Sequence, residues 1–175
     1  VVSTMSQTRI VIMGAAGRDF HDFNTVFRGD ERFDVVAFTH TDTQNIGELD
    51  DLPNRRYPSE LAGEDYPEGI PIRAESEIET IVDEEEVDTV VFSYSDVSHD
   101  HVMHQASRVL AAGADYRLIG PDRMMLHADV PVVAVDAVRT GCGKSQTARK
   151  FADLLLERGK DVAVVREPMP YGDLV

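Results

Sequence analysis

The chain has 175 residues, with 32 acidic against 17 basic side chains and a net charge of −15. That balance excludes nucleic acid and anionic membrane surfaces as general partners. No apolar run is long enough to span a bilayer, the start has no secretory hydrophobic region, and one cysteine allows no intrachain disulfide, so a cytoplasmic protein is expected. Only Lys144, Lys150 and Lys160 are lysine, and aspartate exceeds glutamate. Such a composition suits a halophilic setting, where charge repulsion is screened within about 3 Å at 1 M salt.

Thr8 to Gly14 reads as a short apolar strand ending in glycine, and Gly14-Ala15-Ala16-Gly17 turns into a helix from Asp19 to Phe27. Asp34 to Thr41 is a second strand. Residues 42–73 are rich in Pro, Gly, Asn and Asp and read as a long ordered excursion of functional length. An acidic amphipathic helix over Glu75–Glu86 follows, then a strand over Val87–Tyr94, a helix over His99–Ala112 and a strand over Asp115–Gly120. A short helical stretch follows Pro121. Alternation of this kind predicts a doubly wound parallel sheet, an α/β Rossmann-like domain over 8–128.

Residues 129–175 predict the start of a second α/β unit, that of a phosphate-loop NTPase. Val132–Val138 is an apolar strand, Gly141-Cys142-Gly143-Lys144-Ser145 a turn into a helix running to about Arg158, and Asp161–Arg166 a further strand. Backbone N–H groups of such a turn face phosphate oxygens, and the helix dipole favours the same charge. Lys144 would reach the terminal phosphates and Ser145 would ligate Mg2+ of ATP or GTP, with Arg139, Thr140, Gly141, Cys142, Gly143 and Gln146 completing the nucleotide site. Val138 stands where the general pattern has its first glycine. Arg139 is a candidate for phosphate contact across a subunit interface in a homo-oligomer, and equally for a solvated arginine. Lysine at a helix start opposes the dipole, a conflict that a bound phosphate removes.

Other candidates concern substrate. Gly14 and Gly17, helped by Arg18 and His21, suit a phosphate or anionic substrate. A nicotinamide dinucleotide is the lesser alternative, because Gly-x-Gly-x-x-Gly would place its later glycines at Ala16 and Asp19. Arg55 and Arg56 are candidates for clamping an anion. Ser95 and His99 follow the third strand at a carboxyl end of the sheet, where ligands bind in open α/β folds. Ser98 is a helix N-cap, and His101 with His104 shares a helix face on which metal ligation is a minor alternative.

Several stretches together resemble a known family: Gly14-Ala15-Ala16-Gly17-Arg18-Asp19-Phe20-His21, Arg56-Tyr57-Pro58, Tyr66-Pro67 with Gly69-Ile70-Pro71-Ile72, Tyr94-Ser95-Asp96-Val97-Ser98-His99, and Ala137 to Thr147. The chain resembles the archaeal cyclic 2,3-diphosphoglycerate synthetases, often labelled predicted GTPases. The resemblance implies a larger protein, with this chain ending inside its phosphate-loop domain and the Walker B and base-recognition residues beyond Val175. It implies an ATP-dependent ligase acting on a small phosphorylated substrate such as 2,3-diphosphoglycerate, closing a cyclic pyrophosphate, with Lys144 and Mg2+ stabilising the transferring group. A GTPase working as a regulatory or chaperone-type switch is the alternative within the same loop.

Overall fold

The computed structural model describes residues 6–15, 17–41, 55–94, 97–136 and 141–165. Their contacts divide between Met125 and Leu126 into two units. The first unit holds a six-stranded sheet. Its strands are β1 (Thr8–Met13), β2 (Phe33–His40), β3 (Arg56–Tyr57), β4 (Ile70–Ala74), β5 (Thr89–Phe92) and β6 (Asp115–Leu118). The order is β3-β4-β2-β1-β5-β6, parallel throughout except for the antiparallel β3–β4 pair at one edge. Without β3 the parallel strands run third-second-first-fourth-fifth, the order of a dinucleotide-binding half. The Rossmann-like α/β reading therefore holds. Chain direction across the sheet reverses between β1 and β5, so a ligand crevice is expected at their carboxyl ends.

Alternation along β1 sends Ile10 and Ile12 to one face and Val11 and Met13 to the other. The first face is aromatic. Helix α1 (Arg18–Asp22) continues as a π-helical turn, Phe23–Phe27, whose closing bond runs from Arg28 N–H to the Phe23 carbonyl. Phe20, Phe23 and Phe27 recur at helical spacing and all reach the sheet. Phe20 stacks on Tyr57 with ring centroids 4.6 Å apart, and Phe23 meets Phe38 edge-on at 5.8 Å. Burying each such side chain contributes about 1.5–3 kcal/mol. The second face packs α3 (Ile78–Glu84) and α4 (His99–Ala112) through Ile78, Ile81, Val82 and Val109.

The register of β1 on β2 slips between Ile10 and Val11, so Val36 has no opposite partner. This bulge flips the alternation: Val35 and Phe38 share the aromatic face while Ala37 faces the other. Arg9 fastens the amino end of the sheet, with guanidinium nitrogens 2.9 Å from Asp34 and from Glu85.

The excursion over 42–73 differs from expectation. Residues 42–54 lie outside the described set, but Ile70–Ala74 is a parallel strand paired with β2. Around it, β3, helix α2 (Ser59–Ala62) and Tyr66 fold onto the aromatic core. The Tyr66 hydroxyl accepts the Val35 N–H at 2.9 Å. Gly69 has φ +71°, and a Cβ there would lie 2.2 Å from the Tyr57 carbonyl oxygen.

The second unit has one long helix, α6 (Lys144–Leu156), after the short α5 (Pro121–Met124) that ends the first. Of the expected strands over 132–138 and 161–166, the described parts, residues 132–136 and 161–165, carry no strand pairing, and Val138 and Arg166 lie outside the described residues. Val132, Val133, Val164 and Val165 are exposed. A strand exists through its partners' hydrogen bonds, and among the described residues these valines have none.

Candidate functional site

The carboxyl ends of β1 and β5 carry the first candidate site. Gly14 follows β1 with φ +127°, and its N–H bonds the Thr39 carbonyl at 3.0 Å. Two further donors of the turn, those of Gly17 and Phe20, are taken by a side chain. Asp19, almost fully buried, turns its carboxylate back so that one oxygen accepts from Gly17 N–H at 2.7 Å and Phe20 N–H at 2.8 Å. A Cβ on Gly14 would strike that carboxylate at 2.3 Å, so glycine is what lets the acid in. The side chain thus occupies the place where a dinucleotide pyrophosphate would draw on Gly17 and Phe20. An Asp two residues past a glycine, free to accept nearby backbone N–H groups, is the sequence signal for this arrangement.

The other basic candidates divide. His21 Nε2 lies 2.7 Å from the Met124 carbonyl, tying α1 to α5. Arg56 donates to the carbonyls of Glu68 and Gly69, so it braces the β3–β4 turn. The Arg55 carbonyl accepts from Ile72 N–H at 2.9 Å, in the same brace. Ser95 lies outside the described residues, as do Arg139 and Thr140.

Arg18 and His99 are brought together. They line one cavity of about 570 Å³ with Phe92, Tyr94, Val102 and Leu118, at the β5 side of the crevice. Arg18 is held loosely, 3.9 Å from both the Asp22 carboxylate and the Met124 sulfur. His99 opens α4 and is exposed. Ser98 caps that helix, its Oγ accepting His101 N–H at 3.3 Å.

Sequence reasoning missed the acids beneath this crevice. Asp22 is fully buried; one oxygen accepts from Ser93 Oγ at 2.7 Å, and the other has no partner among the described residues. Burial pushes its pKa above the usual carboxylate value, opposed by the Ser93 hydroxyl and by the charges of Arg18 and His21. Glu75, also buried, accepts from Gln105 Nε2 at 2.7 Å, and its second oxygen is likewise unpartnered among the described residues. Burial, reinforced by Glu75, pushes the Tyr94 hydroxyl well above the usual phenol range, so it stays protonated. No gathering of three or more His, Cys, Asp or Glu suited to a metal occurs among the described residues. His104 is exposed, and His101 Nε2 is 4.0 Å from Glu75.

The second candidate site opens α6. Gly141 and Gly143 both have positive φ, +81° and +89°, a conformation that suits glycine. Gly143 stands at the N-cap, which leaves the helix start with no side-chain cap and no acid in its first turn. Lys144 is the first helical residue, and it lies exposed with Cys142, Ser145 and Gln146. An uncapped positive helix end beside a lysine is an arrangement that an anion would stabilise. The described part of the turn therefore offers backbone donors and a lysine to an anion.

No family model matches the chain. It is 58% identical over 166 residues to a protein named arginine synthetase ArcE from Thermococcus kodakarensis. The match covers 95% of this chain and 36% of that protein, so the chain spans about a third of its relative's length. Among solved structures, the fold is similar to a Rex-family repressor, RSP, at 13% identity and TM-score 0.47, over 89% of this chain and 64% of that one. It is also similar to scyllo-inositol dehydrogenase from Lactobacillus casei at 14% identity and TM-score 0.33, over 88% and 42%. Scores this low add nothing to what the strand order establishes.

Proposed function

We propose that the protein is a nucleotide-dependent synthetase and that its product is arginine, as the name of its 58% identical relative says of that protein. The observation that carries the reading is the α6 turn: two positive-φ glycines lead into an uncapped helix whose first residue is Lys144. Gly141, Cys142, Gly143 and Gln146 would cradle the phosphates of ATP, and Lys144 would neutralise their charge. Mg2+ held through Ser145 would supply further charge neutralisation. The nucleotide's role in a synthetase is to make an oxygen of one partner leave as phosphate, so that a nitrogen can take its place.

The acids at the sheet's carboxyl edge support arginine over a cyclic diphosphoglycerate. Asp19, Asp22 and Glu75 are all buried there, an unfavourable setting for a polyanion. Arg56, a candidate anion clamp, is engaged by backbone carbonyls.

The test is product analysis with the full-length protein, Mg2+, ATP or GTP, an ammonium salt and the ureido amino acid that differs from arginine by one oxygen. Arginine formed in step with ATP consumption, and lost in Lys144→Ala, is the expected result. Cyclic diphosphoglycerate formed from 2,3-diphosphoglycerate would return the reading to the other synthetase. GTP hydrolysis with neither product would favour a GTPase switch.

A further inference from the structure

The cavity shared by Arg18 and His99 has a character of its own. Its walls are mostly apolar: Phe92, Tyr94, Val102, Met103 and Leu118. Among the described lining residues the basic side chains are Arg18 and His99, the second at the amino end of the 14-residue helix α4, and the Tyr94 hydroxyl is the other polar group. Pockets for small organic ligands are built in this way, apolar with few polar groups that fix one end. The position, at the carboxyl ends of the strands beside the switch between β1 and β5, is where open α/β sheets bind ligands.

The polar end suits an anion. Among the described residues the Arg18 guanidinium makes a long N–H···S hydrogen bond to Met124 and a loose ion pair with Asp22, each at 3.9 Å, contacts that a carboxylate would outcompete. His99 has no hydrogen-bond partner among the described residues, and the α4 dipole adds positive potential. A single carboxylate needs no more than this, because Arg presents a two-pronged donor face to it. A molecule bearing two phosphates and a carboxylate would leave most of its charge against Phe92, Val102 and Leu118.

We infer that this cavity binds an aliphatic α-amino acid, its carboxylate on Arg18 and His99 and its methylene stem along Phe92, Val102 and Leu118. The amino acid's identity rests on the synthetase reading; the anion-plus-apolar chemistry rests on the cavity alone. The first unit then carries the acceptor site, as α6 carries the nucleotide site.

Calorimetric titration of the 175-residue protein with L-arginine tests this, with 2,3-diphosphoglycerate as the competing probe. Saturable arginine binding is expected, weakened at least tenfold in Arg18→Gln and in Leu118→Trp, which fills the apolar part of the cavity. Phe151→Ala, at an exposed position on α6, should bind arginine as the unaltered protein does. Circular dichroism melting confirms that each variant is folded. No saturable arginine binding to the folded protein, or equal binding by both cavity variants, would overturn the inference. So would tighter binding of diphosphoglycerate that depends on Arg18. The outcome is separable from the synthetase reading, which stands or falls on product formation by the full-length protein.

Discussion

The two units carry similar alternations of apolar strand and helix, and among the described residues only the first forms a sheet. In the first, Val11 and Ile12 on β1 lie between β2 and β5 and are fully buried. In the second, Val132, Val133, Val164 and Val165 are exposed, and α6 has no buried residue. Apolar strand pattern is a local property, but a strand is a pairing, and parallel pairing depends on distant segments. The lesson extends to function. The buried acids of the first unit are fixed by a core on both sheet faces, whereas the described residues of the α6 turn are exposed or half-exposed and are set by local backbone geometry.

The difference predicts where substitutions hurt. Phe23→Ala removes a fully buried ring from the aromatic face and should cost about 3–5 kcal/mol in chemical denaturation. Phe151→Ala on α6, where the ring is 46% exposed, should cost well under about 1 kcal/mol. Equal losses would mean that the second unit has a core of its own.

Gly69→Ala forces a Cβ to within 2.2 Å of the Tyr57 carbonyl at φ +71°, and should cost about 2–3 kcal/mol. A neutral result in thermal melting would show that the β3–β4 brace is loosely held. Ser98→Ala, which removes the α4 cap, should cost about 1 kcal/mol, with the loss appearing in urea unfolding.

Asp22→Asn should have the smallest effect and a distinctive pH dependence. Burial raises the Asp22 pKa above its ordinary 3.8, so its protonated form is the better folded one. Its contribution to stability is fully present below about pH 3.8 and declines as pH rises through the folded-state pKa. The variant, neutral throughout, should therefore melt higher than the parent at pH 7, and the gap should close by pH 3. A gap that widens toward pH 3 would contradict the assigned cause.

Much of the fold was legible because it was written in local patterns. Helix α4 was expected over His99–Ala112 and is found there, bounded by the Ser98 cap and by Gly113 in the left-handed conformation. Strand β4 was missed because Pro71 interrupts a short run in which only Ile70 and Ile72 are large and apolar. Proline is tolerated near the sheet edge, where Pro71 lies opposite Arg56. The glycines of the Gly14 turn were visible, but not that Asp19 would fill the turn. Pairing Arg18 with His99 in one cavity required the parallel crossover, which no spacing along the chain reveals. The strands expected around the α6 turn fail for the converse reason: their pattern is present and their partners are not among the described residues.

The most direct measurement is arginine formation by the full-length protein with Mg·ATP, compared with its Lys144→Ala variant. The account predicts arginine produced in proportion to ATP consumed, and a loss of about a hundredfold or more in the variant, as expected when a phosphate-neutralising lysine is removed. Arginine formation undiminished in a folded Lys144→Ala protein, or none from the unaltered one, would contradict it.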